Sequence, residues 1–223
     1  MTRVVAGIDV GSIRKGFHCV GLSSRKAVGR FWSTDPVDVA NWCVGIGATV
    51  VGVDAPIRWS RTGRARPAEL ALMRAGISCF ASPSEEAAMN HPRDYYGWMR
   101  NGAALYGALG KHFNAFDGRN DRRRPIAFET FPHAIACALA GRVVPARSKR
   151  TIRRTLLKKA GVACELLTNI DFVDAALCAL AAECFARRRY QKYGEPGEGY
   201  IVVPDFARQL PTSRQSLAIA LRP

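Results

Sequence analysis

The stretch Gly7-Ile8-Asp9-Val10-Gly11-Ser12-Ile13-Arg14-Lys15-Gly16 decides how this chain is interpreted. It continues the apolar residues 4–6 and then breaks on glycine, which is typical of a central β-strand that ends in a turn. A carboxylate within such an apolar segment is unfavourable unless it is hydrogen-bonded, paired with a cation or bound to a metal. Asp9 is therefore the first candidate for a functional residue. The structural alternative is a carboxylate that accepts hydrogen bonds from the amides of the turn.

The first part of the chain predicts three strands, a helix and a fourth strand. The strands are expected at residues 4–10, 16–22 and 27–33. Asp35-Pro36 predicts the start of the helix, because Asp is a favoured N-cap and Pro a favoured first helical residue. The apolar run at residues 49–54 predicts the fourth strand. This β-β-β-α-β order indicates an α/β protein with a mixed sheet.

The remainder of the chain predicts a helical insertion followed by a return to the sheet. Residues 57–123 have mostly helical spacing, and residues 126–129 predict a fifth strand. Residues 149–160 predict a basic helix, and residues 171–189 predict a long apolar helix. Tyr200-Ile201-Val202-Val203 predicts an edge strand.

The charge of the chain indicates a polyanionic partner. Its 223 residues include 33 Lys and Arg against 18 Asp and Glu, a net charge of +15. A basic excess of this size in a folded domain favours contact with nucleic acid, DNA or RNA. The alternative is an arginine-rich composition without functional meaning. No internal boundary is evident, so we predict a single domain over residues 1–223.

The composition also predicts a location. No apolar stretch reaches the length of a membrane span, and the N-terminal segment is a poor signal peptide because Asp9 interrupts it. The seven cysteines are scattered without a Cys-x-x-Cys pair, which favours reduced structural thiols. These features predict a cytoplasmic protein that does not associate with a membrane.

Carboxylates recur at the ends of the predicted strands. Asp9, Asp54 and Glu129 each close an apolar run, while Asp171 and Asp174 share one face at the start of the long helix. Parallel strands end at the same edge of a sheet, so these groups are expected to converge there. Oxygen-only clusters suit Mg²⁺ or Mn²⁺ and the hydrolysis of phosphodiesters.

Each carboxylate also has a structural interpretation. Asp54 precedes Ala-Pro and is a candidate turn residue, whereas Glu129 is a candidate partner of an arginine. Asp171 and Asp174 lie where side-chain oxygens satisfy free helix amides. The sequence alone leaves these alternatives open.

Basic residues flank the predicted acidic site and are candidates for binding phosphate. A solvated helix face is the alternative for those after residue 146. His18 is expected to be a packed or surface residue, whereas His133 could equally contact phosphate or cap a helix. The predicted phosphate or nucleic-acid contacts are Ser12, Arg14, Lys15, Arg58, Arg100, His133, Lys149 and Arg153.

Seven stretches together resemble the family called domain of unknown function 429, which is regarded as a predicted nuclease with a ribonuclease H-like fold. They span residues 4–204, nearly the whole chain. The stretches are Gly7–His18, Val53–Pro56, Ser82–Ser84, Trp98–Gly102 with Leu105 and Tyr106, Glu129–Ala134, Asp174–Ala179 and Gly199–Pro204.

The resemblance implies a ribonuclease H-like fold, with a mixed five-stranded sheet flanked by helices and the helical insertion at residues 57–123. It places metal carboxylates on the first strand, the fourth strand and the last long helix, which match Asp9, Asp54 and Asp174. Glu129 is then an additional catalytic and metal-binding residue, and Asp171 a further metal ligand. A nuclease dependent on Mg²⁺ or Mn²⁺ is the implied function.

Two other functions remain open at the level of sequence. A non-catalytic nucleic-acid-binding or interaction module would retain the carboxylates as structural caps. An actin-like ATP-binding phosphotransferase shares the core fold, and its first phosphate loop resembles residues 9–15. That class is expected to have a second glycine-rich loop after the fourth strand, where Asp54-Ala55-Pro56-Ile57 contains no glycine.

Overall fold

A computed structural model of the chain describes residues 3–119, 124–145 and 147–206. It contains eight strands, seven α-helices and a 3₁₀-helix at Asp94–Tyr96. The strands are β1 (Val4–Val10), β2 (Phe17–Ser23), β3 (Lys26–Ser33), β4 (Ala48–Asp54), β5 (Asn114–Ala115), β6 (Ile126–Glu129), β7 (Tyr190–Glu195) and β8 (Gly199–Pro204). The helices are α1 (Pro36–Gly45), α2 (Pro67–Arg74), α3 (Glu85–Met89), α4 (Gly97–Leu109), α5 (Pro132–Ala140), α6 (Lys149–Lys159) and α7 (Ile170–Ala186).

The strands form one mixed sheet in the order β3-β2-β1-β4-β6-β8-β7, with β5 also paired to β6. The first three strands are antiparallel to one another, and β1, β4, β6 and β8 are parallel. Three antiparallel strands followed by parallel ones, with helices on both faces, is the ribonuclease H-like topology that the sequence predicts. The fold class is therefore confirmed, with a sheet larger than the expected five strands.

The far edge of the sheet differs from the prediction. Residues 200–203 were expected to form an edge strand, but they belong to β8, which is buried between β6 and β7. The edge strand is β7, which the sequence pattern did not predict. Its sequence Tyr-Gln-Lys-Tyr-Gly-Glu is polar and mostly exposed, so it lacks the apolar run that marks an interior strand.

The start of α1 illustrates how local sequence sets the elements. The Asp35 side chain accepts a hydrogen bond from the Val37 amide at 2.7 Å, and Pro36 occupies the first turn. The predicted N-cap is confirmed. The cap defines where α1 begins, between β3 and β4, and β4 pairs in parallel with β1.

Two apolar cores lie on opposite faces of the sheet. One side carries α7 with α6 and α5 packed against it, and its core includes Val5, Phe128 and Leu177. On the other side α1 and α4 pack together, over a core that includes Ile8 and Val53. Because side chains alternate along a strand, Ile8 and Asp9 point to opposite faces, and Asp9 belongs to the α7 side.

The predicted insertion contains α2, α3, the 3₁₀-helix and α4. Of these, α4 contacts β1 and α1. It therefore packs on one face of the sheet and is part of the core as well as of the insertion. Residues 120–123 at the end of the predicted insertion lie outside the described residues, and the boundaries of the insertion and of the single domain stay predictions. None of the helices in the described part of the chain combines the length and the hydrophobicity that crossing a membrane requires.

Candidate metal centre

Asp9 and Asp54 lie side by side at the carboxyl ends of β1 and β4. They are register partners in the parallel pairing of these strands. The residues two positions earlier, Gly7 and Gly52, face α7, because a Cβ atom at either position would meet the backbone of Ala179 or Cys178. Since alternate residues share a face, Asp9 and Asp54 also point toward α7.

The first turns of α7 bring two further carboxylates to this place. Asn169 caps the helix and accepts a hydrogen bond from the Phe172 amide at 2.8 Å. Asp171 and Asp174 follow, three residues apart and therefore on one face of the helix. Both act electrostatically on Asp9, and Asp174 acts on Asp54 as well. Four of the five predicted carboxylates thus form one cluster, which we call the acidic centre: Asp9, Asp54, Asp171 and Asp174.

Burial and mutual repulsion shift the acidities of the acidic centre. Burial, with the charges of Asp174 and Asp171, raises the pKa of Asp9 from 3.8 to about 7. Burial and the charges of Asp9 and Asp174 raise the pKa of Asp54 well above its ordinary value. Burial raises the pKa of Asp174 too, even though Arg153 opposes the shift. Like charges held this close need a cation or a proton.

Two basic residues neutralise part of the acidic centre. The Lys15 ammonium donates to Asp171 Oδ1 at 2.6 Å, and Arg153 Nη1 donates to Asp174 Oδ1 at 2.5 Å. Lys149 lies near enough to lower the pKa of Asp9. Within the described residues, no hydrogen bond reaches the carboxylates of Asp9 or Asp54. These two groups therefore keep their oxygens available to a ligand.

The loop between β1 and β2 holds Lys15 in place. The Ser12 carbonyl accepts hydrogen bonds from the Lys15 and Gly16 amides at 2.9 and 2.8 Å. Asn101 of α4 donates to the Gly11 carbonyl at 3.0 Å, and Trp32 Nε1 donates to the Lys15 carbonyl at 2.9 Å. Arg14 is exposed on the same loop. The loop thus presents a lysine beside the acidic centre.

His18 is buried as the sequence predicts, but it also borders the acidic centre. It is the register partner of Asp9 in the antiparallel pairing of β1 and β2. Its Nε2 atom lies 4.0 Å from Asp171 Oδ2, and burial lowers its pKa. One ligand atom each from Asp9, His18 and Asp171 lie within 4.8 Å of one another. The prediction of a packed or surface residue therefore did not anticipate the position of His18 beside the acidic centre.

Glu129 borders the acidic centre, and its charge contributes to the raised pKa of Asp54, but its side chain is engaged elsewhere. Its register partner on β4 is Val53, the residue before Asp54, so its side chain lies on the opposite face of the sheet. There Arg66 binds both carboxylate oxygens, at 2.9 and 2.5 Å, and the Ile57 amide donates at 3.0 Å. The alternative interpretation, pairing with an arginine, is the one found, and we do not retain Glu129 as a metal ligand.

Glu129 belongs to a buried polar network that the sequence did not reveal. Arg66 is 1% exposed and also donates to Glu69 at 2.8 Å. The Ser82 hydroxyl donates to the same Glu69 oxygen, Oε1, at 2.5 Å. Because every charge in this network has a partner, its geometry indicates a structural role. The network ties α2 and the loop before α3 to the end of β6.

Three of the predicted phosphate contacts are not placed to bind phosphate at the acidic centre. Arg58 is exposed and lines a separate cavity of about 510 Å³ with Tyr200. Arg100 pairs with Asp94 on the insertion. His133 is buried at the start of α5, where burial and the charge of Arg153 lower its pKa. Of the predicted basic contacts, Lys15, Lys149 and Arg153 are the ones that act directly on the acidic centre.

The donor chemistry of the acidic centre suits a divalent cation, although within the described residues the group whose ligand atoms lie within 4.8 Å of one another is Asp9, His18 and Asp171, without Asp54 or Asp174. Asp9 and Asp54 offer carboxylates without hydrogen-bond partners in the described part of the chain, and hard cations prefer such oxygens. Each has a raised pKa, which a nearby positive charge would reverse. Asp171 and Asp174 are suitable additional ligands. Lys15 and Arg153 each donate to the Oδ1 atom of their partner, which leaves Oδ2 of both carboxylates for an ion. The sequence analysis did not identify His18 as part of this site, because its position opposite Asp9 depends on the register of β1 and β2.

Comparisons with known proteins give a family match and two similar structures. The family described as "Protein of unknown function (DUF429)" matches residues 7–198. No curated protein matches the chain. A Thermus thermophilus RuvC structure is 16% identical with a TM-score of 0.43, covering 83% of this chain and 95% of its own. T. thermophilus RuvC in complex with a Holliday junction substrate is 18% identical with a TM-score of 0.44, covering 83% of this chain and 96% of its own.

Proposed function

The chain belongs to the DUF429 family, and from its acidic centre we propose that it is a metal-dependent nuclease that hydrolyses phosphodiester bonds in DNA or RNA. One observation carries the proposal. Carboxylates from β1, β4 and α7, far apart in the sequence, converge on one face at the carboxyl ends of parallel strands. Ligands bind at this edge in open α/β sheets.

Asp9 and Asp54 would hold Mg²⁺ or Mn²⁺, with Asp171 and Asp174 completing the site. The chemistry that such an ion supplies is the lowering of the pKa of a bound water and the stabilisation of negative charge on phosphate oxygens. The protein residues bind and orient the groups that react. Burial of Asp9 beneath α7 keeps bulk water from competing for its oxygens.

Basic residues around the acidic centre would position the phosphate backbone. Lys15 is half-exposed beside Asp171, and Lys149 begins α6 close to Asp174. Each can bind a phosphate oxygen while the carboxylates face the scissile bond. Arg153 is buried against Asp174 and is better suited to orienting that carboxylate. The net charge of +15 supports nucleic acid as the partner.

Cleavage assays on labelled substrates test this proposal. Single-stranded, double-stranded and branched DNA and RNA would be incubated with the protein and either Mg²⁺ or Mn²⁺. We expect cleavage that disappears with a chelator and in Asp9→Asn and Asp54→Asn. Asp38→Asn on the outer face of α1 is the matched control and should cleave normally. Full activity of Asp9→Asn would refute the mechanism.

A non-catalytic nucleic-acid-binding module is the second candidate. It is favoured by the Lys15–Asp171 and Arg153–Asp174 pairs, which already neutralise two of the four carboxylates. This function requires salt-sensitive binding of nucleic acid without any heat of binding for divalent ions in calorimetry. Binding of Mn²⁺ that requires Asp9 would exclude it. The cytoplasmic location remains a prediction from sequence.

A further inference from the structure

His18 has no structural role that accounts for its position. It is 8% exposed, and its ring lies edge-on to Phe172 with centroids 4.9 Å apart. Its Nδ1 atom is buried and has no hydrogen-bond partner among the described residues. Its Nε2 atom is 4.0 Å from Asp171 Oδ2, too far for a hydrogen bond. A buried nitrogen without a hydrogen-bond partner is unfavourable, and native structures contain few of them.

Asp171 divides its two oxygens between different neighbours. Oδ1 accepts the hydrogen bond from Lys15, whereas Oδ2 is the oxygen that faces His18. An ion between Oδ2 and the imidazole would therefore leave the Lys15 contact intact. Two ligands of one ion, each about 2.1 Å from it, are at most about 4.2 Å apart. The 4.0 Å separation of Nε2 and Oδ2 lies within that span.

Asp9 completes the set. It is the register partner of His18, and the ligand atoms of Asp9, His18 and Asp171 lie within 4.8 Å of one another, a looser bound than the span of about 4.2 Å for two ligands on one ion. These three residues come from β1, β2 and α7, so a bound ion would link all three elements. We infer that His18 is a ligand of the divalent cation and that the ion is a transition metal, Mn²⁺ in preference to Mg²⁺.

The preference follows from the ligand chemistry. Mg²⁺ favours oxygen ligands and retains several waters, whereas an imidazole nitrogen suits transition ions better. A site made only of Asp9, Asp54, Asp171 and Asp174 would have no such bias. The nitrogen of His18 supplies it. This inference rests on the metal site of the proposed function and specifies its cofactor.

Metal binding without any substrate tests the inference. Calorimetric titration would measure the Kd of Mn²⁺ and of Mg²⁺ for the wild-type protein, His18→Gln and the exposed-histidine control His112→Gln. We expect His18→Gln to weaken Mn²⁺ binding by about tenfold or more and Mg²⁺ binding by less than twofold. His112→Gln should change neither Kd. Thermal unfolding of each metal-free variant checks that the fold is retained.

Pulsed electron paramagnetic resonance of bound Mn²⁺ gives a second readout that does not depend on affinity. The wild-type protein should show a ¹⁴N hyperfine coupling from a directly bound imidazole, and this coupling should vanish in His18→Gln. Wild-type protein that binds Mn²⁺ without the ¹⁴N signal would overturn the inference. If His18→Gln does not fold, the wild-type spectrum alone decides.

Failure of the inference and failure of the proposed function are distinguishable. Cleavage that needs Asp9 but no ¹⁴N coupling would refute the role of His18 and leave the nuclease proposal standing. A Mn²⁺ site with ¹⁴N coupling but without cleavage of any nucleic acid would support the role of His18 and refute the nuclease proposal. Absence of Mn²⁺ binding would overturn the inference, and absence of both Mn²⁺ and Mg²⁺ binding to the wild-type protein would overturn the proposed function as well.

Discussion

Gly7 of β1 and Gly52 of β4 are register partners, and both lie directly beneath α7. Neither position has room for a Cβ atom, since the helix backbone occupies that space. The helix therefore approaches the sheet more closely than side chains would allow. Two residues further along each strand are Asp9 and Asp54, and the close approach is what brings Asp174 to them.

Gly52→Ala should disturb the acidic centre from a distance. Its Cβ atom would lie 2.6 Å from the Cys178 carbonyl oxygen, a backbone atom that cannot move without shifting α7. We expect the free energy of unfolding to fall by roughly 1–3 kcal/mol, as for other overpacked sites. Mn²⁺ affinity should also fall, as measured by calorimetry well below the unfolding temperature.

Gly45→Ala is the matched control for this substitution. Gly45 ends α1, and a Cβ atom there meets nothing within 4 Å. Alanine in place of a helical glycine stabilises by roughly 0.5–1 kcal/mol. Urea denaturation should therefore show opposite effects at the two glycines. Equal Mn²⁺ affinities of Gly52→Ala and the wild type would show that the distance between α7 and the sheet does not determine metal binding.

Asp9→Asn should stabilise the metal-free protein while abolishing metal binding. The folded pKa of Asp9 is about 7 against an ordinary 3.8, so between these pH values the folded state holds a proton that the unfolded state has lost. Stability therefore declines as the pH rises from about 4 to 7, and the full penalty is present above that window. The substitution removes a charge that is unfavourable by on the order of 4 kcal/mol.

Thermal unfolding with a chelator at several pH values measures this effect. The melting temperature of Asp9→Asn should exceed that of the wild type at pH 8, and the difference should disappear near pH 4. Glu165→Gln, an exposed carboxylate, provides the control and should show no such pH dependence. If the wild-type protein were more stable than Asp9→Asn at pH 8, the charge of Asp9 would not be unfavourable in the folded state, which contradicts its raised pKa.

Lys15→Gln should separate metal binding from nucleic-acid binding. The Lys15 ammonium repels Mn²⁺ and is hydrogen-bonded to Asp171 Oδ1. Removal of this ammonium should therefore tighten Mn²⁺ binding by roughly threefold or more. Affinity for nucleic acid should fall, with a shallower dependence on salt, because a phosphate contact is lost. Calorimetry and fluorescence anisotropy measure the two changes. Lys26→Gln, exposed at the start of β3, should affect neither, and parallel changes in both affinities would contradict the assignment.

Glu129→Gln should damage the fold and spare the metal site. Loss of one partner leaves the buried Arg66 guanidinium undercompensated, which typically lowers the free energy of unfolding by about 3–5 kcal/mol. Asp54→Asn on the neighbouring strand should do the opposite, weakening Mn²⁺ binding without a loss of stability. Urea denaturation and calorimetry on both variants distinguish the roles. Weakened Mn²⁺ binding in folded Glu129→Gln would restore it as a ligand.

The sequence predicted the centre of the fold well, because its signals are local. Continuous apolar runs mark β1 and β4 as buried strands, and the Asp35-Pro36 cap marks the start of α1. The convergence of Asp9, Asp54 and Asp174 followed from their places at the ends of elements. These are properties that a single segment expresses without its neighbours.

What the sequence could not predict depends on relations between segments. Glu129 ends a strand just as Asp54 does, but a register offset of one residue turns it to the opposite face. Its partner Arg66 is 63 residues away in the chain, and no local pattern identifies it. Likewise β7 is polar, and only its pairing with β8 makes it a strand.

The acidic centre also has a consequence for how the protein is made. Asp9 and Asp54 leave the ribosome early in synthesis, whereas Asp171 and Asp174 follow more than a hundred residues later. Domains fold as their segments emerge, so a nascent chain that lacks α7 holds only half of these carboxylates. On the proposed function, a truncated or stalled translation product would lack half of the metal site, and hydrolysis of nucleic acid would begin only after α7 has packed onto the sheet.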